Sequence, residues 1–376
     1  NELQKVKAYI ATHNVYGVDL NPTAVELGKL SLWLNVIHKD METPFFANRL
    51  TVGNAVIGAW LKVYHKEEFY GTIQGRKKMG TNWWEKAPHK VKFFSNRVNR
   101  PVNDIYHFLL PDPAMVAVRK IKEQKDKHKE ETKRMNDIVK SWTNPILATE
   151  FSILQRISAK IDHLLKEYFR YQISIEQCTN NRKEVWDGIN HDDKELFRAE
   201  MQAESYAKKQ ELFDTRYGHN NAYHKLKLVM DYWCALWFWE YKDAASLPTR
   251  EQYWADIETL LQVDDALLDT RTKAALKKAD ATLFDNDEEF KRISEEESQI
   301  IAQSKTEILR NAHANDSLFA DEEPRRFKIV EQLSARYRFF HPMLEFIEVF
   351  WLRDGFDIIC GNPPWLKLEF DEQGIL

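Results

Sequence analysis

Val15-Tyr16-Gly17-Val18-Asp19-Leu20-Asn21-Pro22 is the stretch on which the fold turns. A short apolar run ends in an acid, and Asn21-Pro22 then supplies an N-cap residue followed by proline at the first helical position. The pattern predicts strand, tight turn and helix. Leu27, Leu30, Leu34 and Ile37 follow at three- and four-residue spacing, an apolar stripe expected to pack on a sheet. After a polar break containing Pro44, Arg49-Leu50-Thr51-Val52-Gly53-Asn54-Ala55-Val56 predicts a second short strand with a polar turn at its C-terminal end. Strand, helix, strand is one right-handed α/β unit with parallel strands.

Around this unit lies a chain of 376 residues, long enough for more than one module. With 43% hydrophobic and 30% charged residues it has the composition of a folded globular protein. A net charge of only -4 supplies no global basic field, so any surface for nucleic acid must be local. Cys178, Cys234 and Cys360 are too few and too far apart for a disulfide framework or a CxxC zinc site, which fits a reducing cytosol. No apolar stretch reaches about 18 residues and no signal peptide opens the chain, so a cytoplasmic protein without a membrane anchor is expected. The chain starts at Asn1 and stops at Leu376, shortly after its sharpest motif; both ends read as cuts through something larger.

From about residue 60 the sequence becomes charged and helical for nearly three hundred residues. Helices are predicted over residues 114–142, 150–175, 192–213, 222–242, 250–268 and 287–313. Phe151, Leu154, Ile157, Ile161, Leu164 and Tyr168 form the best-defined core stripe. Charge is segregated: residues 62–100 hold ten Lys or Arg against three acids, whereas residues 251–300 hold fourteen acids against six bases. The basic segment, with Tyr64, Tyr70, Trp83, Trp84 and Phe93, either follows a phosphate backbone and stacks on bases or is a solvated face with its aromatics tucked into the core. Arg76, Lys77 and Lys78 are its densest part.

The sharpest chemistry is at the end, where Phe356-Asp357-Ile358-Ile359-Cys360-Gly361 predicts an apolar strand running into Asn362-Pro363-Pro364-Trp365. An exocyclic amine on a purine is a poor nucleophile because its lone pair is delocalised into the ring. Acceptors placed in advance for its two hydrogens draw the nitrogen toward tetrahedral geometry. The Asn362 side-chain carbonyl is one such acceptor, and the Pro363 main-chain carbonyl, in a backbone stiffened by Pro363 and Pro364, is a second. Trp365 offers a flat face for a base swung out of the duplex. With a cofactor that carries an activated methyl group, neither a metal nor a strong base is required. The same tetrapeptide also occurs as a simple proline turn; the strand before it and Gly361 favour the chemical reading.

Asp19, at the end of the first strand, would lie where a cofactor ribose sits in a doubly wound sheet, or it is an ordinary turn residue. Asn54, at the end of the next strand, either meets a cofactor adenine or forms an Asx turn. His191, His219 and His224 lack ligand spacing, so no metal site is expected.

Tyr16 to Pro22, Ala24-Val25-Glu26-Leu27 and Leu30-Ser31-Leu32-Trp33-Leu34 resemble the acidic cofactor motif and following helix of adenine-specific DNA methyltransferases of the type IIG restriction-modification and phage-defence kind. Gly53-Asn54-Ala55 is similar to their next motif, and Phe356 to Trp365 to their catalytic motif. Phe339-Phe340-His341-Pro342-Met343-Leu344-Glu345-Phe346, with Glu348-Val349-Phe350, resembles the aromatic lead-in these enzymes carry. Residues 106–113 and 230–235 resemble, more weakly, segments of the large insertion-bearing members.

The resemblance implies a γ-type order of motifs and S-adenosyl-L-methionine as cofactor, with Asp19 on its ribose, Leu20 packed on its adenine and Asn54 at the adenine edge. It implies double-stranded DNA with a flipped adenine held by Asn362 to Trp365, and restriction or defence subunits as further partners. The fold implied is a partial Rossmann-like class I methyltransferase sheet, α/β and parallel, interrupted by a large, mostly α-helical insertion. Residues 1–59 would be the first part of the core, 60–338 the insertion and 339–376 the second part. The family's glycine-rich first motif and its target-recognition domain are not found in the sequence, so this chain alone is expected to bind cofactor weakly and not to methylate. Two other classes remain: a protein glutamine methyltransferase, which shares an Asn-Pro-Pro-aromatic motif but is compact, and a non-enzymatic helical scaffold.

Overall fold

The structure, a computed structural model, describes residues 2–38, 41, 43–73, 76–79, 82–94, 97–146, 148–179, 206–218, 221–262 and 325–361. It opens with helix α1 (Glu2–His13), strand β1 (Gly17–Asp19), helix α2 (Pro22–Val36) and strand β2 (Leu50–Val52). β1 and β2 pair in parallel with Gly17 opposite Leu50, Val18 opposite Thr51 and Asp19 opposite Val52. The expected strand, helix, strand unit is therefore present as a small parallel sheet. Asn21 starts α2 as read from the sequence: it has extended backbone, its side chain accepts from the Thr23 N–H, and Pro22 follows.

The face of α2 that packs is not the expected one. Leu27, Leu30, Leu34 and Ile37 are 58%, 46%, 62% and 50% exposed. Val25 and Val36 are buried instead, Gly28 lies against Leu50, and Leu32 and Trp33 join Ala8, Ala11 and Phe46 in a small core between α1 and α2. Positions 25, 28, 32 and 36 also recur at helical spacing, so α2 is apolar on two sides and periodicity alone does not select between them.

Residues 62–106 are a second departure. Where helix was expected, seven short strands appear: β3 (Lys62–Tyr64), β4 (Tyr70–Ile73), β5 (Arg76–Met79), β6 (His89–Lys90), β7 (Lys92–Phe94), β8 (Arg97–Asn99) and β9 (Ile105–Tyr106). β3 pairs antiparallel with β6 and β9, while β4–β5 and β7–β8 are two-stranded antiparallel pairs. Strands of two to four residues are too short to display a period-2 pattern, and in this segment charge is the stronger feature of the sequence.

Helices follow: α3 (Lys122–Lys127), α4 (Lys129–Trp142), α5 (Ala148–Thr179), α6 (Tyr206–Asp214), α7 (Ala222–Ala235), α8 (Arg250–Leu261), α9 (Arg325–Tyr337), α10 (Pro342–Glu345) and α11 (Ile347–Arg353). The helix expected over 114–142 is broken, with a 3-10 turn at Ala117–Lys120 and His128 between α3 and α4. The helix expected to reach residue 242 ends at Ala235 and gives way to 3-10 turns. α8 closes at Gln262 in left-handed conformation. The remainder of that helix, residues 192–205 and the helix expected over 287–313 lie outside the described residues. α5 carries its expected stripe, with Phe151, Leu154, Ile157, Ile161, Leu164 and Tyr168 all buried. One continuous core runs from Phe45 through α5, α7 and α8 to Trp351. It unites residues close to β2 with residues of α9, α10 and α11, far apart in sequence.

The apolar run after α11 is not a strand. Phe356 is half-buried, but Ile358 and Ile359 are 81% and 82% exposed and no described residue pairs with them. An apolar run becomes a strand only when a neighbour completes its ladder, and the described sheet stops at β1 and β2.

Candidate functional site

β1 ends at an exposed edge carrying Asp19 and Leu20. The Asn21 N–H donates to Asp19 Oδ1 at 2.7 Å, which aims the carboxylate along the turn. The Asp19 carbonyl accepts from the Gly53 N–H at 3.0 Å, so the turn after β2 is tied to the turn after β1. Asn54 stands in that second turn. Its side-chain Oδ1 accepts from the Val56 N–H at 3.1 Å, an Asx turn, which leaves the amide NH2 for another acceptor. Asp19, Leu20 and Asn54 are thus brought to neighbouring turns at the C-terminal ends of two paired parallel strands. That is the end of an α/β sheet at which ligands bind.

The turn after β2 is clasped by the segment that follows α9. Asn54 bridges Phe339, its N–H donating to the Arg338 carbonyl at 2.7 Å, and the Phe340 N–H donates to the Ile57 carbonyl at 2.9 Å. Gly53 and Gly58 make this possible, because a Cβ at either would overlap Phe340.

Three ionisable residues of the aromatic lead-in then reach buried partners. The Ala59 N–H donates to His341 Nδ1 at 2.9 Å, so Nδ1 carries the lone pair and Nε2 the proton, which is donated to Asp231 Oδ1 at 2.8 Å. Burial disfavours the Asp231 charge, yet the Lys227 ammonium at 2.7 Å and the His341 hydrogen bond outweigh it and hold the carboxyl down at about 2. Ser334 also donates to Asp231, at 2.8 Å. Glu345 accepts from the Tyr223 hydroxyl at 2.6 Å and lies 3.7 Å from Arg216, whose guanidinium sits over the Phe213, Tyr217 and Tyr223 rings. Glu348 faces Arg49 at 3.9 Å, and Arg49 holds Glu176 at 2.9 Å. Burial and the nearby Glu176 carboxylate push Glu348 up to about 8.

His341, Glu345 and Glu348 thereby join the turn after β2, the residue preceding β2 and helices α5 and α7. Sequence reasoning took this stretch only as an aromatic lead-in. The available signal was three ionisable residues within an otherwise apolar run, each in need of a buried partner.

The chain leaves α11 through Asp354 in left-handed conformation and Gly355 at φ 135°. Lys90 on β6 holds that turn, its Nζ 3.1 Å from the Asp354 carboxylate and 3.0 Å from the Asp354 carbonyl. Phe356 then packs edge-on against Tyr16, just before β1, with ring centroids 5.3 Å apart, and against Phe346 and Phe350. The segment leading to Asn362 thus departs from beside β1. Asn362, Pro363, Pro364 and Trp365 lie outside the described residues.

In the basic segment, Tyr64, Trp83 and Phe93 are buried and Trp84 is half-buried. They pack among Phe69, Phe151 and Trp351. Tucked-in aromatics are what the structure shows for these residues; the side chains of Tyr70, Arg76, Lys77 and Lys78 lie outside the description. Among the described residues no group of three or more His, Cys, Asp or Glu side chains could hold a metal ion, and no helix is long and apolar enough to cross a membrane.

No curated protein and no solved structure matches the chain. The sequence profile of one family, described as the Eco57I restriction-modification methylase, matches residues 13–374, from the end of α1 through the Asn-Pro-Pro-Trp motif and nearly the whole chain. With that match added to the parallel β1–β2 unit and its tethered turns, the chain belongs to the Eco57I restriction-modification methylase family, a family of DNA methyltransferases.

Proposed function

We propose that the protein transfers a methyl group from S-adenosyl-L-methionine to the exocyclic N6 amine of adenine in double-stranded DNA, within a bacterial restriction-modification or phage-defence system. The observation that carries the reading is the pairing of β1 with β2, which sets Asp19, Leu20 and Asn54 in adjoining turns. Their chemistry suits a nucleoside. Asp19 has one oxygen oriented by Asn21 and a second without a donor among the described residues, suited to the ribose hydroxyls. Leu20 presents an exposed apolar side chain for an adenine face, and the Asn54 amide serves its edge. The cofactor supplies an electrophilic methyl group on sulfonium, so the protein's task is to bind, orient and exclude water.

In this reading the core is a Rossmann-like class I sheet contributed by residues 1–59 and 339–376, with residues 60–338 inserted between its cofactor and catalytic motifs. Asn362 and the Pro363 carbonyl accept the hydrogens of the target amine, Pro364 stiffens that turn and Trp365 stacks on the flipped base. DNA binds beside the insertion, the protein works in the cytoplasm, and a restriction or defence subunit accompanies it. Equilibrium binding of S-adenosyl-L-methionine to the full-length protein tests the cofactor half. Asp19→Ala is expected to weaken binding at least about tenfold, the loss of a hydrogen-bonded charged group; unchanged affinity would remove Asp19 from the site.

A further inference from the structure

Arg338 is the residue by which α9 reaches both turns of the candidate edge, and nothing in the motifs points to it. It follows the last residue of α9 and has φ 54°, the left-handed conformation that usually falls to glycine. The Phe339 N–H reaches back to the Ser334 carbonyl at 3.4 Å, the six-residue bond of a Schellman-type helix end, with Arg338 at its left-handed position. A side chain at such a position costs about 1 kcal/mol relative to glycine. In this protein it is put to use: the guanidinium Nη1 donates to the Leu20 carbonyl, while the Arg338 carbonyl accepts from the Asn54 N–H. One residue therefore grips the turn after β1 through its side chain and the turn after β2 through its backbone. The Gly53 N–H to Asp19 carbonyl bond closes the arrangement between the two turns.

We propose that Arg338 is a positioning residue for nucleoside binding at this edge. It acts through main-chain atoms of Leu20 and Asn54, fixing the Asp19 carboxylate and the Asn54 amide relative to each other, and it does not touch the ligand. The inference rests on the reading of this edge as the S-adenosyl-L-methionine site. A guanidinium suits the task because it is always charged and its planar donors tolerate half-burial. α9 is anchored independently, through Arg326 to Asp256 at 2.6 Å and through Ser334 to Asp231, so the grip transmits a fixed position into the turns.

The test separates side chain from backbone. Arg338→Gly keeps the left-handed conformation and the carbonyl that serves Asn54, and removes only the guanidinium. Arg338→Lys retains a single cationic donor. In the full-length protein without cofactor, amide hydrogen exchange over residues 18–23 is expected to quicken in Arg338→Gly while the thermal midpoint holds or rises. Its affinity for S-adenosyl-L-methionine falls about tenfold, and Arg338→Lys recovers part of both effects. Wild-type exchange and wild-type affinity in Arg338→Gly, with Asp19→Ala weakened, would overturn the role of Arg338 alone. Wild-type affinity in Asp19→Ala would overturn the nucleoside reading of the edge and this inference with it.

Discussion

Gly58 lies so close to Phe340 that a Cβ on the glycine would stand 1.6 Å from the Phe340 carbonyl oxygen. The obstacle is backbone, so no side-chain rotation relieves it. Gly58→Ala is expected to pry the turn after β2 from the Phe339–His341 segment, at about 3 kcal/mol, the upper range for overpacking. Urea denaturation measures it; a loss below about 1 kcal/mol would mean that the two segments are not in contact.

Glu348 gives a pH dependence of definite sign. Its folded pKa of about 8 lies above its ordinary value of 4.5, because burial and the Glu176 carboxylate oppose its ionisation. The stability it contributes is whole below the ordinary value and is lost as pH rises through about 8. Glu348→Gln, which cannot ionise, is expected to be no more stable than wild type at pH 5 and clearly more stable at pH 8.5. His107, lowered to about 3 by burial, tilts both proteins the opposite way below its ordinary 6.5 and cancels in the difference. A stability difference that stays flat from pH 5 to 8.5 would show that Glu348 ionises normally.

Asp231 is the shared anion of Lys227 and His341. Asp231→Ala strands the half-buried Lys227 ammonium and the buried His341 Nε2–H, and is expected to cost about 3 kcal/mol at pH 7. Since the folded pKa is held below the ordinary 3.8, at about 2, the wild-type advantage is full above 3.8 and fades as pH falls through 2. A loss within about 0.5 kcal/mol at pH 7 would contradict the network.

The two apolar sides of α2 are separable by truncation in this chain. Leu34→Ala is expected to change stability by no more than about 0.5 kcal/mol, as at ordinary surface sites. Val36→Ala, in the core with Ala8 and Phe46, is expected to cost about 2 kcal/mol. Equal losses at both positions would place the Leu34 side in a packed environment.

What the sequence disclosed follows the range of the interactions. β1, the Asn21 cap and β2 are written in adjacent residues and were legible. So was the α5 stripe, whose period has one solution. The packing side of α2 was not, because two periodic faces compete and only the partner surface decides. The strands between Lys62 and Tyr106 were hidden by their brevity and their lysines. The roles of His341, Glu345 and Glu348 depend on Asp231, Tyr223 and Arg49, more than a hundred residues away in sequence, and no spacing rule links them. The role of Arg338 is hidden for the same reason: its partners are Leu20 and Asn54.

Methyl transfer to adenine is measured directly as incorporation of label from methyl-labelled S-adenosyl-L-methionine into unmethylated genomic DNA by the full-length protein, with Asn362→Ala alongside. Label on N6-methyladenine is expected with wild type, and a loss of at least about a hundredfold in the variant, the scale on which a preplaced acceptor contributes to catalysis. Label on cytosine, label on protein in place of DNA, or full activity in Asn362→Ala would contradict it.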